Sequence, residues 1–240
     1  MTRVSIPRVL CVVPALNESD SISGVVRGLI ERGFDVLVVD DGSLDGTAQL
    51  ASAAGARVIR MPFNVGIGGA VQTGYLAAEA GGYDVAVQVD ADGQHPVDQV
   101  DLLVRTLIDR QHDLVVGSRF VEATAYRPTR MRGVGIGFLK LLLMRATDAR
   151  LTDTTSGFRA AGRRAIALFA RSYPPDYPEV ESLVVATRAG LTVSEVSVHM
   201  RERQGGRSSI TPLRSAYYMI KVSLAVSMVL MRRPERVLGE

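Results

Sequence analysis

One pattern constrains this chain more than any other: short runs of β-branched and aliphatic residues, each closed by a polar cluster and followed by a helical stretch. Val9–Val13 predicts a strand stopped by Pro14, and residues 20–32 carry Ile22, Val25, Val26, Leu29 and Ile30 at helical spacing. Val36–Val39 predicts a second strand, ended by Asp40-Asp41-Gly42-Ser43, with a helix over 45–54 and a short strand at Arg57–Arg60. The glycine-rich stretch Asn64–Gly69 opens a helix to about Gly81, and Val85–Val89 then leads into Asp90-Ala91-Asp92. Pro96, well suited to a first helical turn, starts a helix to Arg110, and Asp113–Val116 is a further strand. Strands apolar throughout, separated by helices, belong in a mostly parallel sheet covered on both faces. The fold class is therefore an open α/β sheet, whose ligands bind at the carboxyl ends of the strands. The polar clusters at Asn17-Glu18, Asp40-Asp41, Asp90-Ala91-Asp92 and Ser118-Arg119 sit at those ends.

The second half reads differently. Residues 133–146 have an apolar helical pattern, Thr152–Arg159 is a polar loop, 163–171 and 179–189 are helical, and Thr192–His199 alternates as a strand. Residues 216–231 are apolar but contain Lys221, and are shorter than the roughly 20 residues that a spanning helix needs. They read as a membrane-interface helix or an oligomer contact. The chain thus divides into an α/β domain over 1–210 and a C-terminal apolar helix over 211–240.

A single Cys excludes an internal disulfide, and three His with that Cys are too few for a structural zinc site. The N-terminal residues show no apolar leader with a small-residue cleavage site, so the expected compartment is the cytoplasm. Net charge is +3, with Arg127, Arg130, Arg132, Lys140 and Arg145 in one acid-free stretch. Aromatics at 5% without Trp argue against stacking on single-stranded nucleic acid, whereas basic residues beside apolar ones point to a membrane surface.

The strongest chemical signal is Asp90-Ala91-Asp92 with Gln94, directly after a strand. Two carboxylates at a strand end can hold Mg²⁺ or Mn²⁺ when substrate phosphates supply the remaining oxygens. The alternative is a solvated turn capping the next helix. Asp41, at the end of the second strand, suits hydrogen bonds from a ribose or base, while Asp45 and Thr47 read as ordinary helix-start residues. Asn64–Gly69 matches neither dinucleotide nor P-loop spacing, and its glycines read as helix packing against the sheet. Arg119 and Arg203 offer guanidinium forks for phosphate oxygens, although each alone also suits a surface position. No Ser/His/Asp or Cys/His pairing is evident.

Seven segments in order, VVPALNE (12–18), VVDDGSLDGT (38–47), NVGIGGAVQTG (64–74), VQVDADGQHP (87–96), GSRF (117–120), DTTSGFRA (153–160) and RQGGRSS (203–209), resemble the family 2 glycosyltransferases of GT-A fold. More narrowly, the chain resembles their polyprenyl-phosphate (dolichol-phosphate) mannose or glucose synthase branch. The resemblance implies a GDP- or UDP-sugar held by Pro14, Leu16, Glu18, Val39 and Asp41, with Asp90, Ala91, Asp92 and Gln94 at the diphosphate and Asp90, Asp92 and Gln94 at the metal. It implies Arg119 and Arg203 facing phosphates, Asp153 near the reacting centre, and inverting transfer of a hexose to a polyprenyl phosphate. Such an enzyme works as a peripheral protein at the inner face of the membrane. A phosphate acceptor is already anionic, so Asp153 is expected to orient the acceptor or sugar more than to remove a proton. The rival readings are transfer to a hydroxyl in polysaccharide or cell-envelope synthesis, where Asp153 must serve as base, and a non-catalytic nucleotide-sugar binder.

Overall fold

A computed structural model describes residues 6–119 and 151–200. The segments 133–146 and 216–231, the basic stretch 127–145, Arg203 and the expected boundary at 210/211 lie outside the described residues.

The expected strands form as β1 (Val9–Ala15), β2 (Asp35–Asp40), β3 (Arg57–Arg60), β4 (Val85–Gln88) and β5 (Leu114–Ser118), with β6 (Arg159–Gly162) and β7 (Val193–Ser197) completing a seven-stranded sheet among the described residues. The helices are α1 (Ile22–Ile30), α2 (Thr47–Ala53), α3 (Ile67–Ala80), α4 (Val100–Asp109), α5 (Arg163–Arg171) and α6 (Pro178–Arg188), with a 3-10 turn at Val97–Gln99 after Pro96. The strand order is β3-β2-β1-β4-β6-β5-β7. All neighbours pair in parallel except β6, which runs antiparallel to both β4 and β5.

The uniformly apolar strands follow from double coverage. Leu10 and Val12 of β1 pack with α3, α5 and α6, whereas Cys11 and Val13 pack with α1, α2 and α4. On α1 the buried stripe is Ile22, Val25, Val26 and Leu29, each contributing roughly 2 kcal/mol of burial. Ile30, expected in that stripe, is exposed.

Two expectations are corrected. β6 was expected to be loop up to Arg159: Arg-Ala-Ala-Gly has no β-branched residue. Its register between two strands makes it sheet, with Ala160 buried on one face and Ala161 on the other. β1 also does not stop at Pro14. A proline has no N–H to donate, so the ladder to β4 ends at the Val12–Gln88 pair, while that to β2 continues to Ala15–Asp40. The carboxyl ends of β1 and β4 therefore part. The chain runs from β1 outward to β3 and then returns to β4 on the other side of β1, so this parting is the topological switch point where open α/β sheets bind ligands.

Candidate active site

At the switch point lies a crevice of about 290 Å³. Pro14, Leu16 and Glu18 line it from the end of β1, Asp41 from β2, Asn64, Gly66 and Ile67 from the loop into α3, and Asp90, Ala91 and Asp92 from β4. Glu179, at the start of α6, lines it as well.

The wall between β1 and β2 is knit by short side chains. The Asn17 amide donates to Ser43 Oγ (2.9 Å) and the Leu44 amide to Asn17 Oδ1 (2.9 Å), with Asn17 in the left-handed region at φ 54°. The Glu18 amide donates to Thr47 Oγ1 (2.9 Å), and Asp45 accepts the Thr47 amide (2.9 Å) at the start of α2, as expected of helix-start residues. Asp41 is buried, and its two oxygens accept the Val65 (2.7 Å) and Gly66 (2.9 Å) amides. Its carboxylate thus fixes the loop into α3 as well as lining the crevice.

The glycines of that loop have separate causes. Gly66 sits at φ 87°. Gly68 packs not on the sheet but beneath the Pro174-Pro175 backbone, with the position of a Cβ only 2.6 Å from Pro175 Cα. Gly68→Ala must move backbone that carries α6 and Glu179, and is expected to lower stability by about 2 kcal/mol in urea unfolding. An unchanged midpoint contradicts this packing.

The acidic turn is held on both sides. The Asp90 amide donates to His95 Nδ1 (2.8 Å), which leaves the proton on Nε2, 3.3 Å from Asp90 Oδ2. His95 is itself buried against Phe158, with ring centroids 4.9 Å apart. Asp92 accepts the Gln94 amide (3.0 Å) and Gln94 Nε2 (2.8 Å). Gln94 does not line the crevice and reaches it through Asp92.

Arg119 and Asp153 meet although they are 34 residues apart in the chain. Arg119 Nε donates to Oδ2 (2.7 Å), Nη2 to Oδ1 (2.9 Å) and the Arg119 amide to Oδ2 (3.2 Å). Asp153 is 1% exposed. Burial by itself raises its carboxyl, but the Arg119 fork, the Arg119 amide and the Thr155 hydroxyl together hold it below the usual carboxylate range. The segment that follows Asp153 passes close to the acidic turn: a Cβ at Gly157 would stand 3.4 Å from Asp90 Oδ1. Arg159 anchors that segment from inside the protein. It is fully buried and donates to the Ser156 carbonyl (2.8 Å), Ser182 Oγ (2.7 Å) and the Glu179 carbonyl.

The crevice thus gathers Pro14, Leu16, Glu18, Asp41, Asp90, Ala91 and Asp92. Val39 is not among its lining residues: its side chain is fully buried in the core with Val71 and Tyr75. Arg119 and Asp153 form their own pair and are not among the lining residues; Gly157, four residues after Asp153, comes close to Asp90. Glu179, His95 and Arg159 were missed. His95 had a usable signal, five residues after Asp90, whereas nothing local marks Glu179, whose carboxyl burial pushes up and Arg159 pulls back.

The chain matches the model of Glycosyl transferase family 2 over residues 10–169. It is 34% identical to the undecaprenyl-phosphate mannosyltransferase of Micrococcus luteus, over 85% of this chain and 88% of that protein. It is 28% identical to the polyprenol monophosphomannose synthase of Mycolicibacterium smegmatis, over 90% and 86%. Among solved structures, glucosyl-3-phosphoglycerate synthase from Mycobacterium tuberculosis, in complex with Mn²⁺, UDP-glucose and phosphoglyceric acid, superposes with a TM-score of 0.70 at 26% identity, covering 95% of this chain and 79% of that one. A switch-point crevice with paired acids at its β4 edge, on a sheet shared with such an enzyme, agrees with the family match, and the chain belongs to glycosyl transferase family 2 as a glycosyltransferase of GT-A fold.

Proposed function

We propose that the enzyme transfers a hexose from a GDP- or UDP-sugar to a polyprenyl phosphate with the help of Mg²⁺ or Mn²⁺. The observation that carries the acceptor class is the state of Asp153. Both its oxygens are engaged by Arg119, and its carboxyl is held below the usual range, so it is a weak proton acceptor. A hydroxyl acceptor needs a base, whereas a phosphate monoester arrives already ionised. The names of the Micrococcus and Mycolicibacterium relatives support the same acceptor.

The donor set fits a hard divalent ion. Glu18, Asp41, Asp90, Asp92 and Glu179 line the crevice, and no Lys or Arg stands among the described lining residues. A diphosphate enters such a wall only with a cation. No three His, Cys, Asp or Glu form a complete cage among the described residues. Asp90 and Asp92, the latter steadied by Gln94, would hold the ion through two carboxylates and leave positions for phosphate oxygens. When bound, the ion neutralises the charge that builds on the departing diphosphate. The protein's own part is to hold the nucleotide along Pro14, Leu16, Glu18 and Asp41 and to keep the Arg119–Asp153 pair rigid.

No helix among the described residues is long and apolar enough to cross a membrane. Work at the inner membrane face through peripheral contact belongs to the same proposal. The test is labelled GDP-mannose or UDP-glucose with Mn²⁺, offered a polyprenyl phosphate or the matching polyprenol in the same micelles. Transfer to the phosphate is expected to exceed transfer to the alcohol by at least about a hundredfold, the scale of a base the site does not supply. Equal transfer to both defeats the acceptor assignment.

A further inference from the structure

We propose that Glu195, on strand β7, is a positioning residue for the transfer, gripping the backbone at Thr152 and Asp153 so that the Arg119–Asp153 pair keeps its place; this rests on the reading that the pair stands at the reacting centre. Glu195 lies opposite Val116 in the parallel β5–β7 pair and is half-buried. Its Oε1 accepts the Thr152 amide (2.8 Å) and the Asp153 amide (2.7 Å). Its Oε2 accepts the Thr152 amide (2.7 Å) and the Thr152 hydroxyl (2.7 Å). The Thr152 hydroxyl also stands 2.9 Å from Ser118 Oγ, and Ser118 immediately precedes Arg119. One carboxylate therefore reaches both members of the pair, Asp153 through its amide and Arg119 through Thr152 and Ser118.

The chemistry favours a clamp over a surface charge. Among the described residues no Lys or Arg pairs with Glu195, so its charge acts on backbone amides and a hydroxyl. Charge-assisted bonds of this length are the strong kind. The segment does not depend on Glu195 alone to fold, because Arg159 holds the Ser156 carbonyl from the interior. Loss of Glu195 then loosens the Thr152–Asp153 end while leaving the other end anchored. Misplacing a reacting group by about 1 Å costs on the order of a hundredfold in rate.

The test measures steady-state transfer from GDP-mannose or UDP-glucose to polyprenyl phosphate with Mn²⁺. Glu195→Ala is expected to lower kcat about a hundredfold, with the donor KM within about twofold, because the crevice residues are untouched. Glu195→Gln is expected to stay within about fivefold of the parent: its carbonyl accepts the two amides, and its amide group donates to Thr152 Oγ1, which turns its own proton to Ser118. Asp153→Asn lowers kcat about tenfold, and the double variant Glu195→Ala with Asp153→Asn is no slower than the slower single, because both act through one group. If the alanine variant does not fold, Thr152→Val removes the hydroxyl from Glu195 and is expected to lower kcat about fivefold, the scale of one lost hydrogen bond. Full kcat in Glu195→Ala or Thr152→Val, a glutamine variant as slow as alanine, or multiplying losses in the double variant overturns the clamp. An Asp153→Asn enzyme at full rate instead overturns the reading of the pair, and the clamp with it.

Discussion

Asp92→Ala is expected to slow hexose transfer by about a thousandfold, corresponding to about 4 kcal/mol of lost charge stabilisation. The carboxylate is fixed by the Gln94 amide and side chain, in a tight turn where Gly93 takes φ 77°. It lines a crevice whose charged side chains, among the described residues, are all acidic. Without Asp92 the proposed metal keeps Asp90 and loses its second carboxylate, and the diphosphate meets the remaining acids with less cation to offset them. Calorimetric titration of a GDP- or UDP-sugar provides a second readout. Mn²⁺ is expected to strengthen donor binding by the parent protein, and in Asp92→Ala that dependence is expected to disappear. Donor binding that is equally tight without metal, or unchanged by the substitution, removes the basis for placing the ion at this turn.

Arg119→Ala is expected to cost about 2 kcal/mol of stability at neutral pH, with a loss that depends on pH in a set direction. The figure lies below that of a wholly buried pair because the Arg119 side chain is 38% exposed and water already screens it. In the parent protein the Asp153 carboxyl is depressed in the folded state. Its contribution is therefore present above the unfolded carboxylate pKa and is lost as pH falls through the lower, folded one. Without Arg119 the burial of Asp153 outweighs its remaining partners and the folded carboxyl rises above its unfolded value. The penalty is then absent in acid and grows as pH climbs through the ordinary carboxylate range. The stability gap between parent and variant should therefore be wide near pH 7 and narrow near about pH 4 in urea titrations. A gap that is the same at both contradicts the assignment of Asp153 as a buried, Arg-held carboxylate.

Local signals carried the near side of the site. A β-branched run followed by acids is recognisable wherever it occurs, and Asp41, Asp90 and Asp92 all lie where strand ends place them. The same signals fail where local chemistry is neutral. Val39 is implied by the family resemblance alone, and its side chain is buried in the core and not among the crevice lining. The Arg-Ala-Ala-Gly of β6 is strand only because β4 and β5 flank it. Glu195 sits in an alternating strand like any outward polar residue, and its four bonds span more than 40 residues to Thr152 and Asp153.

The residues by themselves determined a mostly parallel α/β sheet with acids at its carboxyl edge, because strand and helix periods and the chemistry of strand ends are encoded within a dozen neighbouring residues. The tertiary structure alone decided that the crevice opens between β1 and β4, that Glu179 lines it, that Arg119 locks Asp153, and that Glu195 accepts the Thr152 and Asp153 amides. The reason is physical. Strand order and the meeting of side chains far apart in the chain come from packing a whole sheet against two helical layers, and no short stretch of sequence carries that information.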